Sequence, residues 1–454
     1  GQPRVSCVTP ARRVSGRAVT TVTGLEDAQQ WADAMCATGG SQCGFCTPGI
    51  IVRLSALRAK HGELDADRVT DALKAHLCRC TGWQTIVEAA VDLPGGDPNR
   101  DLDAASRRAT LEGRAEQRVH PEVALGAGGF ADDSAPRGAE VAVRDQNGAW
   151  VRAGGLGAAR DAAGKIQGRR TTRVSEPPLE VPAGDWAVTL RTSWVEPAYL
   201  ETDASWAAPG EQARSPLANG GAFGAKMASD VVDEAERQAV DAAGPVRVLA
   251  SREDTVRHGP KRPPVAAGVA ADGTGVIEVA RTPGVADAIG LVAPGLEVRE
   301  LDIPGPPTSS AIRGAGWVEA AVLVAAATGN DSITSPDGAT ATARFDGTTI
   351  DIEVSCGQIL DAVVLRSYCI GAAHMAYSWV PSESLTVDDG EVLDLPVRSF
   401  GVARAVDTPE IRVALIDDSA DPVNGSDAVF AAVAAAVWRH HGHPEVWPVL
   451  VSGD

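Results

Sequence analysis

The sequence lacks several features that would assign it to a common class of protein. No apolar run reaches the ~18 residues that a membrane-spanning helix needs, and no charged segment followed by an apolar stretch marks a signal peptide. Basic residues are outnumbered, with 41 Lys and Arg against 60 Asp and Glu and a net charge of −19. This charge argues against nucleic acid or an anionic membrane as the main partner. We therefore expect a cytoplasmic protein that binds neither.

Length and composition predict a multi-domain α+β protein. At about 100–200 residues per domain, 454 residues correspond to about two to four domains. Hydrophobic residues make up 44% of the chain and charged residues 22%, which is typical of chains with ordinary cores. The 48 Gly and 29 Pro predict many turns and argue against a purely helical bundle.

The eight cysteines are unevenly distributed along the chain. Six lie in the first 80 residues, at Cys7, Cys36, Cys43, Cys46, Cys78 and Cys80. In an acidic chain without a signal peptide, this clustering favours a metal or cluster site over a disulfide scaffold. Two close pairs, Cys43-Gly-Phe-Cys46 and Cys78-Arg-Cys80, can present four thiolates to one centre. The spacing alone fits both Zn²⁺ and an iron–sulfur cluster.

The segment around these pairs has helical periodicity. Residues 26–38 are predicted to form an amphipathic helix, Pro48 stands where the first turn of a second helix tolerates proline, and Asp65 can cap a third. Residues 84–91 predict a fourth helix. We therefore expect a helical bundle over residues 26–92, with both cysteine pairs at helix ends. The remaining thiols are interpreted as buried apolar side chains: Cys36, Cys356 and Cys369.

Two strings around the cysteine pairs resemble a known family. They are Gly-Ser-Gln-Cys-Gly-Phe-Cys-Thr-Pro-Gly at 40–49 and Leu-Cys-Arg-Cys-Thr-Gly-Trp at 77–83. Both are similar to the helical [2Fe–2S] domain of the xanthine dehydrogenase/aldehyde oxidase family of molybdenum hydroxylases. The resemblance favours the cluster over zinc and places Gln42 and Cys80 against a molybdopterin. It implies four cluster ligands: Cys43, Cys46, Cys78 and Cys80.

The first 25 residues resemble the end of a second domain of the same family. Val-Ser-Cys-Val-Thr-Pro, centred on Cys7, is similar to the last ligand string of its plant-ferredoxin-like [2Fe–2S] domain. We interpret residues 1–25 as a remnant of that domain. The other three ligands would stand before residue 1, so we expect a truncated sequence. The alternative is a protein with a single cluster.

The longer C-terminal part has weaker signals at first and then mixed ones. Residues 93–190 are rich in Gly, Asp, Arg and Ala and are predicted to be a linker with one charged helix over 102–119. Beyond that, β-branched residues predict strands and Ser426 can cap a final helix; the segments are 188–194, 246–251, 350–354 and 426–439. The predicted fold class is therefore α+β, with an N-terminal helical bundle followed by a mixed α/β part over 191–454.

Three strings in this part resemble the molybdopterin-binding subunit of the same family. They lie at 196–202, 219–226 and 308–316. The resemblance implies that residues 191–454 form a shortened molybdopterin-binding-like domain. A Gly-rich loop lets backbone amides approach a pyranopterin, and an arginine beside the metal can stabilise charge on a substrate carbonyl. The residues implied to contact the cofactor are Gly221, Phe223, Gly224 and Arg313.

The positions that carry catalysis depart from the family's pattern. Val195 stands where the family has a glutamine aimed at the metal, and Met227 stands where purine-oxidising members have a glutamate. The family's general base follows the glycine that matches Gly425. Ser426 holds that place here, so we predict that Asp427, one residue later, is the catalytic base. The alternative is that Ser426 and Asp427 are a helix cap and first turn.

These observations lead to an oxidoreductase within a xanthine dehydrogenase-type assembly. We expect an iron–sulfur subunit that passes electrons from a molybdopterin site to FAD during oxidative hydroxylation of a small substrate, an N-heterocycle or an aldehyde. The partners expected are an FAD-binding subunit, because no FAD-type Gly-rich segment is found here, and a molybdenum-binding subunit. The alternative is a catalytically degenerate scaffold and electron-transfer subunit. A zinc module with a binding domain is the third reading.

Overall fold

Helices form the N-terminal part of the chain, and mixed sheets with helices form the rest. The computed structural model describes residues 2–164, 171, 173–215 and 221–449, apart from the side chain of Cys7. Its helices are α1 Ala28–Thr38, α2 Thr47–His61, α3 Ala66–Leu73, α4 Gln84–Asp92, α5 Leu102–Gly113, α6 Pro121–Ala124, α7 Leu156–Ala163, α8 Val231–Val240, α9 Arg252–His258, α10 Val285–Val292, α11 Trp317–Thr328, α12 Ala362–Ser382 and α13 Ser426–His440.

The strands pair into three sheets and one small hairpin within the described residues. They are β1 Glu140–Arg144, β2 Trp150–Ala153, β3 Val188–Thr192, β4 Ala204–Ala207, β5 Val246–Leu249, β6 Val265–Val269, β7 Gly275–Ala280, β8 Leu296–Leu301, β9 Ser332–Thr334, β10 Thr340–Phe345, β11 Thr349–Ser355, β12 Val387–Asp388, β13 Glu391–Val392, β14 Glu410–Ile416 and β15 Val446–Trp447. The strand orders are β2-β1-β5-β4, β14-β11-β10-β9 and β15-β3-β6-β7-β8.

The helical bundle over α1 to α4 confirms the predicted periodicity. Asp65 accepts a hydrogen bond from the Arg68 backbone N–H at 2.8 Å and so caps α3, as expected. Below the cap, Val69 and Leu73 are fully buried one turn apart, which is the spacing that fixes an amphipathic helix against a core. Gly39, in the left-handed conformation, ends α1 and turns the chain into the first cysteine loop.

The structure differs from the predicted linker over residues 93–190. Helix α5 packs on α12 through Ala105, Ala109, Val364 and Tyr368. Strand β1 pairs in parallel with β5, in the register Glu140 to Val246. The segment is thus built into the C-terminal part of the fold. Short strands were expected there, and β1 and β2 are five and four residues long, but their pairing with β5 could not be read from so short a pattern. The domain boundaries themselves stay a prediction.

The predicted strands and final helix in the C-terminal part are confirmed. In β11 the burial alternates, with Ile350, Ile352 and Val354 facing the core and polar residues facing out, as a sheet covered on one face requires. Parallel β14 and antiparallel β10 flank it, and α13 packs on this sheet and on α12. One continuous apolar core joins these elements to the helical bundle. None of the helices in the described ranges has both the length and the apolar character that crossing a bilayer requires.

Candidate metal centre and the adjoining cavity

The four predicted ligand thiols lie in two loops of the helical bundle. Cys43 and Cys46 follow α1, with Cys46 at the N-cap of α2, while Cys78 and Cys80 lie between α3 and α4. Three of these residues are buried and Cys46 is partly buried. Two loops at helix ends thus present the thiols from opposite sides, as the sequence predicted.

The thiols meet as two pairs. The Sγ atoms of Cys43 and Cys80 are 3.5 Å apart, and Cys46 donates a hydrogen bond to Cys78. In the described part of the chain, no three His, Cys, Asp or Glu side chains are grouped in the way a single metal ion needs. Two pairs match the chemistry of a [2Fe–2S] cluster, whose four cysteine ligands are shared between two irons. The donor set therefore fits such a cluster.

One thiol of each pair is stabilised as a thiolate, the form that binds iron. The hydrogen bond from Cys46 lowers the pKa of Cys78 to about 6 against the opposing effect of burial, and Thr81, whose Oγ1 lies 3.2 Å from Cys78 Sγ, lowers it further. The hydrogen bond with Cys80 likewise lowers the pKa of Cys43, while burial opposes it. The same hydrogen bonds, together with burial, raise the pKa of the donor thiols Cys46 and Cys80.

The Gly-rich loop touches these thiols directly. Asn219 and Gly220 fall outside the described residues, but Gly221, with φ +84°, lies against the pair. A Cβ placed on Gly221 would be 3.0 Å from Cys43 Sγ and 3.5 Å from Cys80 Sγ. This position requires glycine for its space as well as its conformation. The sequence assigned Gly221 to a cofactor surface; in the structure its neighbour is the cysteine pair.

The same loop holds the predicted arginine. The backbone N–H of Arg313 donates to the Phe223 carbonyl at 2.9 Å, and the Arg313 guanidinium lies 4.5 Å from the centre of the Phe223 ring. A Cβ on Gly224 would clash with the Ala311 carbonyl oxygen, so the two loops pack backbone to backbone. Phe223, Gly224 and Arg313 are therefore brought together as the sequence implied.

Asp427, predicted as the base, is tied to two arginines. Arg313 Nε donates to Asp427 Oδ1 at 2.8 Å, and Arg114 donates to Oδ2 at 2.5 Å. Burial opposes ionisation of Asp427, yet these two cations outweigh it and lower its pKa. Ser426 is also engaged, since Arg313 donates to its Oγ at 2.8 Å. A carboxylate with both oxygens held this way is poorly placed to accept a substrate proton. Asp427 lies in the first turn of α13, as the alternative states, but the N-cap is Gly425 and not the predicted Ser426, which is the first helical residue.

The cavity beside this network is small. It is lined by Glu196, Phe223, Arg262, Arg313 and Trp379 among others, with Val195 at its edge, and has a volume of about 20 Å³. That is room for about one ordered water. A pyranopterin does not fit in it. Gln42, implied to face the pterin, instead donates to Ser367 Oγ of α12 at 2.9 Å.

One feature of the site was missed by sequence reasoning. Arg79, between Cys78 and Cys80, makes a two-fold ion pair with Glu383 at the end of α12, with both N–O distances 2.6 Å. The partners are 304 residues apart in sequence. No local sequence pattern predicts an ion pair between residues so far apart. The one signal in the sequence was the position of an arginine between two predicted ligands.

Comparison with known proteins gives matches to the N-terminal part by sequence. Residues 21–91 match the protein family described as "[2Fe-2S] binding domain". Aldehyde oxidase 1 of Rattus norvegicus is 42% identical over 93 residues, which are 19% of this chain and 7% of that protein. The nicotine 6-hydroxylase small subunit of Paenarthrobacter nicotinovorans is 39% identical over 98 residues, covering 21% of this chain and 59% of that subunit. The chain thus spans 7% of the length of the aldehyde oxidases that it matches.

The fold as a whole also has solved counterparts. The aldehyde oxidoreductase from Desulfovibrio gigas aligns with 95% of this chain and 90% of its own, at a TM-score of 0.66 and 13% identity. The aldehyde oxidoreductase from Desulfovibrio desulfuricans aligns with 92% and 88%, at a TM-score of 0.65 and 12% identity. At this level of identity the similarity shows the fold alone. The predicted α+β arrangement is also the arrangement of these two aldehyde oxidoreductases.

Proposed function

We propose that this chain is the iron–sulfur subunit of a xanthine dehydrogenase-type oxidoreductase, because residues 21–91 match the [2Fe-2S] binding domain and the N-terminal part is 42% identical to aldehyde oxidase 1 of Rattus norvegicus. It would pass electrons from a molybdopterin site to FAD on a partner subunit while an N-heterocycle or aldehyde is hydroxylated. The observation that carries the proposal is the convergence of four cysteine thiols as two pairs, with Cys43 and Cys80 3.5 Å apart.

The chain's own residues account for the cluster chemistry. When bound, the cluster supplies a one-electron relay. Cys43, Cys46, Cys78 and Cys80 would hold it, and Thr81, beside Cys78, stabilises ligand charge. Gly221 closes the site from the C-terminal part without filling it. Water is kept away because three of the four ligand residues are at most 7% exposed.

A second candidate function has a specific observation in its favour. The Arg313–Asp427–Arg114 network and the cavity of about 20 Å³ support a catalytically degenerate scaffold that docks a separate molybdenum-binding subunit. In that case electron transfer remains the chain's task, while substrate binding and hydroxylation belong to the partner.

Metal analysis separates these functions. The purified chain, alone and with co-purifying partners, is analysed for iron, molybdenum and zinc, and EPR spectra are recorded after dithionite reduction. We expect about two irons per chain and a reducible [2Fe–2S] signal. Molybdenum in the lone chain would mean that this chain itself holds the molybdopterin site and takes part in hydroxylation, and molybdenum that appears only with a partner supports the scaffold. Zinc in place of iron would refute both.

A pair of variants makes the iron result specific. Cys43→Ser removes one predicted ligand and should abolish the cluster signal. Cys36→Ser changes a thiol in the same helical bundle that lies outside the two pairs and should leave the signal intact. Equal iron loss in both variants would contradict the assignment of ligands.

A further inference from the structure

The ion pair between Arg79 and Glu383 is among the most enclosed charged contacts in the described residues. The side chains are 4% and 1% exposed, and two parallel N–H···O bonds of 2.6 Å join them. Arg79 Nε also donates to the Pro197 carbonyl at 3.2 Å. Every direction of the guanidinium is thus fixed by the C-terminal part of the fold. Such bidentate geometry holds both position and orientation of the cation.

Arg79 is also the residue between two ligands. Its backbone links Cys78 to Cys80, so a movement of its side chain acts on the loop that carries these two ligands. A charge this close to a cluster and out of contact with water is weakly screened. Glu383 neutralises it, and so the pair as a whole presents little net charge to the ligand sulfurs.

Two other ionisable groups near the pair are themselves neutralised or neutral. Arg262, which lines the same cavity, pairs with Glu319 at 3.2 Å. His374 of α12 is fully buried, and burial, followed by the repulsion of Arg79, lowers its pKa to about 3, so it is uncharged. Neither group therefore offsets the loss of one charge from the Arg79–Glu383 pair.

We propose that the charges of the Arg79–Glu383 pair set the reduction potential of the cluster, with Glu383 cancelling the charge of Arg79. This inference rests on the proposed function. Reduction adds one negative charge at the ligand site, so an uncompensated cation nearby favours the reduced state. An uncompensated anion disfavours it.

The test is a redox titration of the full chain followed by visible absorption and EPR. Each titration adds one electron from dithionite, through mediators, to the oxidised cluster and makes or breaks no bond. Glu383→Gln keeps the size of the side chain and leaves Arg79 uncompensated. The reduction equilibrium should rise about tenfold, which for one electron is ~59 mV toward positive potential.

A double variant distinguishes charge from structure. Arg79→Gln combined with Glu383→Gln breaks the same ion pair but leaves no net charge, so its potential should stay close to that of the wild type. If the loss of the ion pair acts by changing the structure, Glu383→Gln and the double variant will shift the reduction potential by the same amount. That result would overturn the proposal. Arg79→Gln alone should lower the potential, so the charge effect remains testable if Glu383→Gln fails to assemble its cluster.

A matched control lies on the same two parts of the fold. Glu88 of α4 makes two hydrogen bonds of 2.7 and 2.9 Å with Arg366 of α12, but these side chains are 32% and 35% exposed. Glu88→Gln should leave the potential unchanged because water screens the remaining charge. A wild-type chain without iron would defeat the proposed function. A wild-type chain with a reducible cluster whose potential ignores Glu383→Gln and Arg79→Gln would defeat this inference alone.

Discussion

Replacing Gly221 by alanine tests the close approach of the Gly-rich loop to the cysteine pair. The added Cβ would stand 2.8 Å from Cys43 Cβ and 3.0 Å from Cys43 Sγ. Contacts below 3.0 Å force a shift, and Cys43 is attached to a short, buried loop with little room to move. We therefore expect Gly221→Ala to displace Cys43 from Cys80.

The magnitude has two parts that a control can separate. A left-handed conformation costs an alanine about 1 kcal/mol, and this part applies equally to Gly210, whose φ is +77°. Gly210 has nothing within 4 Å of its ideal Cβ, so Gly210→Ala measures the backbone part alone. Overpacking adds about 1–3 kcal/mol. Gly221→Ala should therefore lose roughly 2–4 kcal/mol in stability, against about 1 kcal/mol for Gly210→Ala.

The assay combines the urea midpoint with iron content and the visible spectrum. Gly221→Ala should lower the midpoint more than Gly210→Ala and should reduce bound iron, whereas Gly210→Ala should bind iron as the wild type does. Full iron loading in Gly221→Ala, or equal losses of stability in the two variants, would refute the described contact between the loop and the thiols.

Two further predictions concern buried ionisable groups. Asp427→Asn leaves Arg313 and Arg114 without their shared anion and should destabilise the chain by about 3–5 kcal/mol in urea denaturation. The control Asp337→Asn removes an exposed partner 3.3 Å from Arg114 and should change stability by less than about 1 kcal/mol. Similar losses of stability in the two variants would contradict the pairing of Asp427 with the two arginines. His374 is neutral in the folded chain because burial lowers its pKa to about 3. As the pH falls, the unfolded chain therefore binds a proton at this histidine before the folded chain does. The free energy of unfolding is therefore unaffected by this histidine above pH ~6.5, and it falls by up to ~1.4 kcal/mol per pH unit as the pH drops toward 3. His374→Gln should show a shallower loss of stability between pH 7 and 5, and parallel pH profiles for the two proteins would exclude this role.

The helical bundle could be predicted because its signals are local. The spacing of Cys43, Cys46, Cys78 and Cys80, the cap at Asp65 and the period of the apolar residues all lie within 92 residues. The cap and the apolar period depend on neighbours three or four positions away, and the cysteines of each close pair are two or three positions apart. The residues around the cysteines favoured a [2Fe–2S] cluster over zinc. The family match over residues 21–91 and the pairing of the thiols agree with this choice.

The cavity could not be predicted in the same way, since its residues come from distant segments. Arg313 meets Asp427 across 114 residues, and Arg114 meets it across 313. A sequence shows that an arginine and an aspartate exist, but only the fold decides whether they face a substrate or each other. The pairing changed the interpretation of Asp427 from a base to a buried counter-ion, and it left the predicted glycine and arginine loops side by side.

Helix α12 and its two capping residues bind the helical bundle at three points and the segment just after the bundle at a fourth. Asp361 accepts from Arg100, Ser367 from Gln42 and Glu383 from Arg79. Arg366 donates to Glu88. The partners are 261 to 325 residues apart in sequence.

This arrangement has a consequence for synthesis. At about 5–20 residues per second, the ribosome needs roughly 10–60 s to make α12 after the bundle has emerged. During that interval the cysteine loops lack the surface that later encloses them. The ligand loops therefore stay without this cover at least until α12 is translated, which sets a minimum time for their exposure.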